Sequence, residues 1–254
     1  MFDYEAEANF LEGRTLLITG ASDGIGKTCA RTFARFGATS ILLGRSQEKL
    51  EALYDELEEH YPGKTIIHPL DLSRAGPDDY SLLASSIEEQ FGVLDLLLHN
   101  AALLGARTPI EHYPESDWQQ LMAVNVNAAF FLTKALLPNL ARSDRGRILF
   151  TSSSVGRVGR AYWGGYAVSK FAVEGLMQTL ADELNATSKI RVNSINPGGT
   201  RTGMRQAAYP AEDPNTVPTP ESLMPVYLYL LSEASNHIHG QALDVRDFDP
   251  ERYR

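Results

Sequence analysis

A phenol and an ammonium group lie four residues apart in the run YAVSK, as Tyr166 and Lys170. On a helix this spacing places both side chains on one face. A free tyrosine has a pKa of about 10 and is a poor acid–base group near neutral pH, but a neighbouring cation favours the phenolate and lowers that pKa. A serine run at 152–154 precedes the pair, and a hydroxyl there can hold a substrate carbonyl beside the phenol. These residues predict acid–base chemistry on a carbonyl group.

A glycine-rich loop, TGASDGIG, ends at Gly26 and follows the first predicted strand. Its glycines allow a tight turn and a close approach of the backbone to a phosphate. The helix that follows offers free N–H groups and the positive end of its dipole. Between the first strand and the first helix of a β/α chain, such a loop predicts a dinucleotide phosphate site. The alternative is a tight turn that holds no ligand.

The end of the second predicted strand bears on which dinucleotide is bound. Dinucleotide folds often place an acidic residue there to hold the ribose hydroxyls. Here the strand ends Leu43-Gly44-Arg45-Ser46, and the first acid is Glu48. Arg45 offers a planar fork for a 2′-phosphate, so we predict that NADP(H) is preferred over NAD(H). The alternative is a surface arginine in a loop.

The elements that must position these residues alternate along the chain. Continuous apolar runs are typical of parallel strands buried on both faces. The predicted strands cover 15–19, 39–43, 65–70, 94–99, 147–151, 190–195 and 241–245. The predicted helices cover 25–36, 46–59, 78–91, 116–141, 164–187 and 221–232. The alternation predicts one α/β domain over 1–254, a Rossmann-type doubly wound parallel sheet of about seven strands with helices on both faces.

Two segments carry further predictions. Ser116 with Gln119 matches a capping box that starts the helix over 116–141. Residues 128–132 of that helix are consecutively apolar, so it is apolar nearly all round, and we predict a homodimer or homotetramer that buries it. Residues 203–220 hold four of the 13 prolines and few apolar residues. A structureless stretch of this length predicts a substrate lid, with a solvated excursion as the alternative.

Composition narrows the classes of function. The chain has 23 Lys and Arg against 32 Asp and Glu, a net charge of −9 that repels nucleic-acid phosphates. The single cysteine, Cys29, excludes an internal disulfide and a cysteine-based metal cluster. The acidic run MFDYEAEANF does not match a signal peptide, and no stretch reaches the roughly 18 consecutive apolar residues of a membrane span. We therefore expect a cytoplasmic protein that acts on a small molecule, with no nucleic-acid, membrane or metal partner.

Taken together, these motifs resemble the short-chain dehydrogenase/reductase family over residues 14–246. In chain order they are TGASDGIG at 19–26, Asp71 after the third strand, HNAA at 99–102, Asn125 in VNVNAAF, TSSSVG at 151–156, YAVSK at 166–170 and NPGGTRT at 196–202. Within the family, the run over 152–175 is most similar to bacterial YciK-like oxidoreductases. The resemblance implies hydride transfer between a nicotinamide cofactor and a carbonyl/alcohol pair.

The resemblance also implies residue roles. Tyr166 donates or accepts the proton, and Lys170 lowers its pKa and holds the nicotinamide ribose. Ser153 orients the carbonyl, with Ser152 and Ser154 as rivals, and Asn125 anchors a water in the proton relay. The implied cofactor contacts are Gly20, Ser22, Asp23, Gly24, Ile25, Gly26, Arg45, Asp71, Leu72, Asn100, Ala101, Ala102, Tyr166, Lys170, Pro197, Gly198, Thr200 and Thr202.

The chain departs from the family pattern in two places near the cofactor. The usual Asn-Asn-Ala-Gly is His99-Asn100-Ala101-Ala102, and Ala102 crowds the cofactor slightly. Asp23 stands where many NADP-type relatives carry Lys or Arg, which opposes an NADP preference. We expect His99 to be a structural residue at the end of its strand.

Several alternatives stay open. His237 and His239 are either metal ligands or, as we favour, a solvated loop pair. Arg157 and Arg160 are either clamps for an anionic substrate or loop and interface residues. The function is either a general carbonyl/alcohol oxidoreductase, a 3-oxoacyl thioester reductase, or a dinucleotide-sensing or scaffold protein without turnover. The intact relay residues argue against the last of these.

Overall fold

A seven-stranded parallel sheet forms the centre of the structure, a computed structural model that describes residues 2–254. All six strand pairs are parallel, which confirms the predicted sheet. The strands are β1 (Thr15–Thr19), β2 (Thr39–Gly44), β3 (Thr65–Pro69), β4 (Leu96–His99), β5 (Arg147–Thr151), β6 (Arg191–Asn196) and β7 (Ala242–Asp244). They lie within one or two residues of the predicted bounds.

Helices cover both faces of the sheet. They are α1 (Gly24–Arg35), α2 (Gln47–His60), α3 (Pro77–Phe91), α4 (Glu115–Met122), α5 (Ala128–Ala141), α6 (Gly164–Asn185), α7 (Gly203–Ala208) and α8 (Met224–Leu231). Leu16 and Ile18 of β1 point into one hydrophobic core, with α1, α2 and α8, while Leu17 points into the other, with α3, α5 and α6. Because successive strand residues face opposite sides, a strand buried on both faces is continuously apolar.

The strand order places a crevice at the centre of the sheet. The order is β3-β2-β1-β4-β5-β6-β7, so the chain moves outward from β1 to β3 and then returns to pair β4 beside β1. The connections from β1 and β4 leave in opposite directions at this switch point. In open α/β sheets, ligands bind in the crevice beyond the carboxyl ends of the strands at such a point.

The helix predicted over 116–141 differs in detail. It is divided into α4 and α5 by one π-helical turn, Ala123–Asn127. The predicted capping box is wrong, because α4 begins at Glu115 directly after Pro114 and no side chain caps it. By length and composition the combined stretch Glu115–Ala141 could cross a membrane. In this fold it packs against the sheet and against α3 and α6.

The segment over 203–220 is not structureless, which corrects that part of the lid prediction. It contains α7, whose N-cap Thr202 accepts the Arg205 N–H through its hydroxyl at 3.2 Å. The prolines begin single turns of 3₁₀-helix at Pro214–Thr216 and Pro220–Leu223. Proline suits these first positions because it lacks the N–H that a helix start leaves unpaired. The predicted helix over 221–232 is therefore a 3₁₀ turn that continues into α8.

Candidate active site

One cleft of about 670 Å³ runs along the carboxyl ends of the strands and brings nearly all the predicted site residues together. The predicted residues that line it are Gly20, Ser22, Asp23, Gly24, Ile25, Arg45, Asp71, Leu72, Asn100, Ala101, Ala102, Ser153, Tyr166, Lys170, Pro197, Gly198, Thr200 and Thr202. Two predicted residues, Gly26 and Asn125, lie behind its walls. Side chains more than 100 residues apart in sequence thus share one cavity.

The glycine loop at one end of the cleft requires glycine for close packing. Gly20 has φ +64°, a conformation that residues with a Cβ rarely adopt, and a Cβ there would lie 2.9 Å from Ala101 Cα. A Cβ on Gly26 would lie 2.3 Å from the Gly20 carbonyl oxygen. Gly26 therefore acts by letting α1 approach the loop rather than by lining the cleft. Gly24 and Ile25, the first residues of α1, line the cleft, and a helix N-terminus at such a place suits a diphosphate.

Threonine and asparagine side chains join β1 to β4 beneath this loop. Thr19 Oγ1 accepts the Asn100 and Ala101 N–H groups, each at 3.0 Å. Asn100 Nδ2 donates to the Thr19 and Gly20 carbonyl oxygens at 3.2 and 3.3 Å. These hydrogen bonds hold the loop after β1 and the loop after β4 together at the switch point.

Cations gather where β2 ends. Arg45 is exposed at the cleft wall, and Lys49, which the sequence analysis missed, lines the same wall. Asp23 caps α1, since its Oδ1 accepts the Gly24 N–H at 2.7 Å, and its Oδ2 lies 3.6 Å from Lys49 Nζ. The carboxylate that opposes an NADP preference is therefore held by a helix N-terminus and a lysine, which offset its charge.

Ser153, Tyr166 and Lys170 line the same cleft. Lys170 Nζ donates to the Thr151 carbonyl oxygen at 2.7 Å and lies 5.5 Å from the centroid of the Tyr166 ring. Burial raises the pKa of the Tyr166 phenol to about 12, and the nearby Ser153 hydroxyl acts in the opposite direction. Loss of hydration is thus the dominant influence on this pKa, and the lowering by Lys170 that the resemblance implies stays a prediction.

The charge state of Lys170 is itself set by its surroundings. Burial lowers the pKa of its ammonium group to about 8, while the carboxylate of Glu174, one turn further along α6, raises it. Glu174 is buried and is held by Ser194 Oγ at 2.7 Å and Arg157 Nε at 3.3 Å. At neutral pH the chain thus presents a protonated phenol beside a protonated amine.

Asn125 is held by three hydrogen bonds behind the cleft. It lies in the π-helical turn, is buried, and its Oδ1 accepts the Leu103 N–H at 2.7 Å. Its Nδ2 donates to the Leu103 carbonyl oxygen and to Ser169 Oγ, each at 3.0 Å. The side chain therefore ties the loop after β4 to α6, and it makes no direct bond to Lys170.

The loop from β6 to α7 also lines the cleft. Gly198, with φ +71°, donates its N–H to Asn196 Oδ1 at 3.1 Å. Thr200 Oγ1 donates to the Pro197 carbonyl oxygen at 3.3 Å. These bonds hold the loop in its place at the cleft wall.

The other candidate side chains have structural partners. His99 is buried, its Nε2 lies 2.8 Å from Thr133 Oγ1, and burial lowers its pKa to about 3. His237 contacts the Pro250 carbonyl oxygen, and His239 contacts Val192 N and the Ala181 carbonyl oxygen. Within residues 2–254 no group of three His, Cys, Asp or Glu residues could hold a metal ion.

Arg157 and Arg160, whose roles the sequence left undecided, have different surroundings. Arg157 is engaged by Glu174, Asp244 and the Leu243 carbonyl oxygen, so it is a structural residue and not a substrate clamp. Arg160 lines the cleft.

Comparison with known proteins places this architecture in a family. A family model described as short chain dehydrogenase matches residues 14–213. The chain belongs to the short chain dehydrogenase family. As a member of that family, it is an oxidoreductase enzyme that acts on a small-molecule substrate.

Relatives of this short chain dehydrogenase are similar over their full length. The oxidoreductase YciK of Escherichia coli (strain K12) is 49% identical over 243 residues, which cover 96% of each chain. A short chain dehydrogenase of Escherichia coli CFT073 in complex with NADPH has a TM-score of 0.92 and 49% identity, covering 95% of this chain and all of that one. One of Shigella flexneri 2a in complex with NADP has a TM-score of 0.92 and 48% identity, covering 94% of this chain and all of that one.

The sequence analysis missed the cleft residues that come from outside the motifs. Lys49 lies four residues after Arg45, in the first turn of α2, so a second cation near the end of β2 was visible in the sequence. Met204, Arg205 and Tyr209 line the cleft from α7 and the residue after it, inside the segment that was expected to be structureless. No motif marks these residues, because only the packing of α7 brings them to the cavity.

Proposed function

We propose that this short chain dehydrogenase is an NADP(H)-dependent enzyme that interconverts a carbonyl and an alcohol, with Ser153, Tyr166 and Lys170 as the catalytic residues. The observation that carries the proposal is that these three side chains share one cleft with the glycine loop and Arg45. The lining suits a dinucleotide, since the glycine loop and the start of α1 share the cleft with Arg45.

The chain's own groups would act as follows in the reductive direction. The Ser153 hydroxyl donates a hydrogen bond to the substrate carbonyl oxygen, and Tyr166 transfers its phenolic proton to the same oxygen. Lys170 holds positive charge near the phenolate that results, and so stabilises it. When bound, a nicotinamide dinucleotide supplies the hydride that reaches the carbonyl carbon. One hydride and one proton convert the carbonyl to an alcohol, and the oxidative direction reverses both transfers.

Asn125 supports the relay as a positioning residue in this proposal. Its bonds to Leu103 and Ser169 hold α6 against the loop after β4. The water that the resemblance assigns to Asn125 remains part of the proposal.

Three wider features complete the proposal. NADP(H) is preferred over NAD(H), as the cation pair Arg45 and Lys49 and the complexes of the two relatives with NADP and NADPH suggest. Residues 203–220 cover the substrate, which the position of α7 at the cleft wall supports. The enzyme is a cytoplasmic homodimer or homotetramer.

The alternative functions receive less support. The 3-oxoacyl-[acyl-carrier-protein] reductase of Thermotoga maritima is 33% identical over 243 residues, against 49% for YciK. The comparisons therefore do not favour a 3-oxoacyl thioester reductase. A sensor or scaffold without turnover would not need a phenol, a hydroxyl and an amine in one cleft.

The proposal is tested with Tyr166→Phe. The ring and its packing stay while the proton is removed, so we expect turnover to fall by about 10²- to 10⁴-fold with little change in NADPH binding. Oxidation of NADPH is measured against ketones, quinones and acyl thioesters. Tyr162→Phe is the matched control, because Tyr162 is exposed and lies outside the cleft lining. Activity of Tyr166→Phe within threefold of wild type contradicts the mechanism.

A further inference from the structure

Three arginines converge on Tyr209: Arg160 and Arg205 line the cleft together with Tyr209, while Arg107 packs behind them, outside the cleft lining. Arg205 Cζ lies 3.9 Å and Arg107 Cζ 5.0 Å from the centroid of the Tyr209 ring. Arg160 Nη1 donates to the Tyr209 hydroxyl at 3.3 Å. These four residues form what is here named the arginine–tyrosine cluster.

The cluster is joined to the catalytic tyrosine through one indole ring. The Trp163 ring lies 5.7 Å from the Tyr166 ring and 6.1 Å from the Tyr209 ring, between centroids. Arg107 Cζ also stacks 4.4 Å from the centroid of the Trp163 ring. A substrate whose carbonyl lies at Tyr166 would therefore lie along Trp163 and reach the cluster.

The cluster carries uncompensated positive charge. Glu212 pairs with Arg205 through two hydrogen bonds of 2.6 Å. Among residues 2–254, neither Arg107 nor Arg160 has a carboxylate within 4.0 Å. Opposite charges attract, so two guanidinium groups without a carboxylate partner would attract an anion placed here. The protein as a whole has a charge of −9, so this is a local feature and not a property of the whole surface.

The rest of the cleft shows where an anion would be accepted and where it would not. The acidic residues that line it are Asp23 and Asp71, both at the end with the glycine loop. Near Tyr166 the walls are apolar or aromatic, with Val155, Trp163 and Met204 in one hydrophobic cluster. The part of the cleft near Tyr166 therefore has apolar walls and the positively charged arginine–tyrosine cluster beside them.

We propose that the substrate is an apolar or aromatic carbonyl compound that bears a carboxylate, and that Arg160 binds the carboxylate while Arg107 adds charge and orders Trp163. The inference rests on the proposed function, because it takes Tyr166 as the position of the carbonyl. Guanidinium presents a planar fork that matches a carboxylate and also accepts a phosphonate. The distance between the carbonyl and the carboxylate of the substrate is varied in the test.

The test uses phenyl ketones in matched sets, each prepared as the carboxylate, the phosphonate and the neutral methyl ester. The carbonyl and the acidic group are separated by zero, two or three methylene groups. Reduction by NADPH gives kcat/KM, and titration calorimetry with the NADP-loaded enzyme gives Kd independently of turnover. We expect at least one carboxylate to exceed its ester by about 10- to 100-fold in both measurements, as one charge-assisted interaction supplies.

The variants assign that preference to the cluster. Arg160→Gln should reduce the carboxylate-to-ester ratio by about 10-fold or more and leave the ester unchanged, and Arg107→Gln should reduce it less. Arg145→Gln is the control, because it removes the same charge beside Asp95, at the amino ends of β4 and β5 and so away from the cleft. If the phosphonates are preferred over the carboxylates, the anion subsite is supported, but the proposal that the substrate bears a carboxylate is wrong.

Two results separate failure of this inference from failure of the proposed function. If esters and carboxylates are reduced and bound equally well, or if Arg160→Gln affects both alike, the anion subsite is wrong and the oxidoreductase function stands. If none of the ketones is reduced but the carboxylates still bind more tightly in an Arg160-dependent way, the subsite stands and the assigned carbonyl chemistry is wrong.

Discussion

Arg45 offers the sharpest test of cofactor preference, because its removal changes one charge at an exposed wall of the cleft. We predict that Arg45→Ala weakens NADPH binding and leaves NADH binding nearly unchanged. Only NADPH carries the 2′-phosphate that a guanidinium there would hold.

The expected magnitude follows from the surroundings of Arg45. A charge-assisted hydrogen bond contributes roughly 1.5–3 kcal/mol. Arg45 is exposed, so water and salt screen it, and we take the lower value for one or two bonds. This gives about 10- to 100-fold weaker NADPH binding. Lys49 remains in the variant and lies on the same wall, so the preference for NADPH should shrink rather than vanish.

The measurement is the dissociation constant of each reduced cofactor, from the nicotinamide fluorescence, for wild type and variant. Arg74→Ala is a matched control, since Arg74 is highly exposed beside Asp71 but does not line the cleft. Arg45→Lys should restore part of the affinity. A loss of NADPH affinity below threefold, or a wild type that prefers NADH, refutes the reasoning.

Two further predictions concern pH and assembly. The reduction rate should fall as pH rises through about 8, because Lys170 loses its proton there while the Tyr166 phenol, with a pKa of about 12, keeps its own. Glu174→Gln removes the carboxylate that raises the Lys170 pKa, so the midpoint of kcat/KM against pH should move to lower pH, and an unchanged or higher midpoint contradicts this assignment. The chain should also associate, because Phe130 on α5 and Phe171 on α6 are each 46% exposed in the single chain. Light scattering should give a multiple of 28.0 kDa, and Phe130→Glu should reduce that mass, whereas a wild-type mass of about 28 kDa at micromolar concentration rules association out.

Local patterns were enough to predict the sheet and its approximate strand bounds. Both faces of each central strand are covered by helices, so continuous apolar runs such as Leu16–Ile18 signal a parallel strand directly. The glycine loop was equally readable, since the need for Gly20 and Gly26 comes from contacts over a short stretch of backbone. The capping box at Ser116 failed because a match of residue types does not decide which residue begins the helix, and here Pro114 precedes a start at Glu115.

Spacing along the chain identified Tyr166 and Lys170 as neighbours, but the tertiary structure decided their protonation. Burial raises the pKa of the phenol and lowers that of the amine, and burial depends on how the whole cleft packs. In the same way, Asp23 is an opposing charge in the sequence, yet it caps α1 and pairs with Lys49 in the fold. The convergence of Arg107, Arg160 and Arg205 on Tyr209 was beyond any local pattern, because these residues come from three separate loops and helices. Local periodicity in the sequence thus determined the fold, and motif spacing pointed to the reacting groups that we propose, while their burial and the packing around Tyr209 came only from long-range contacts.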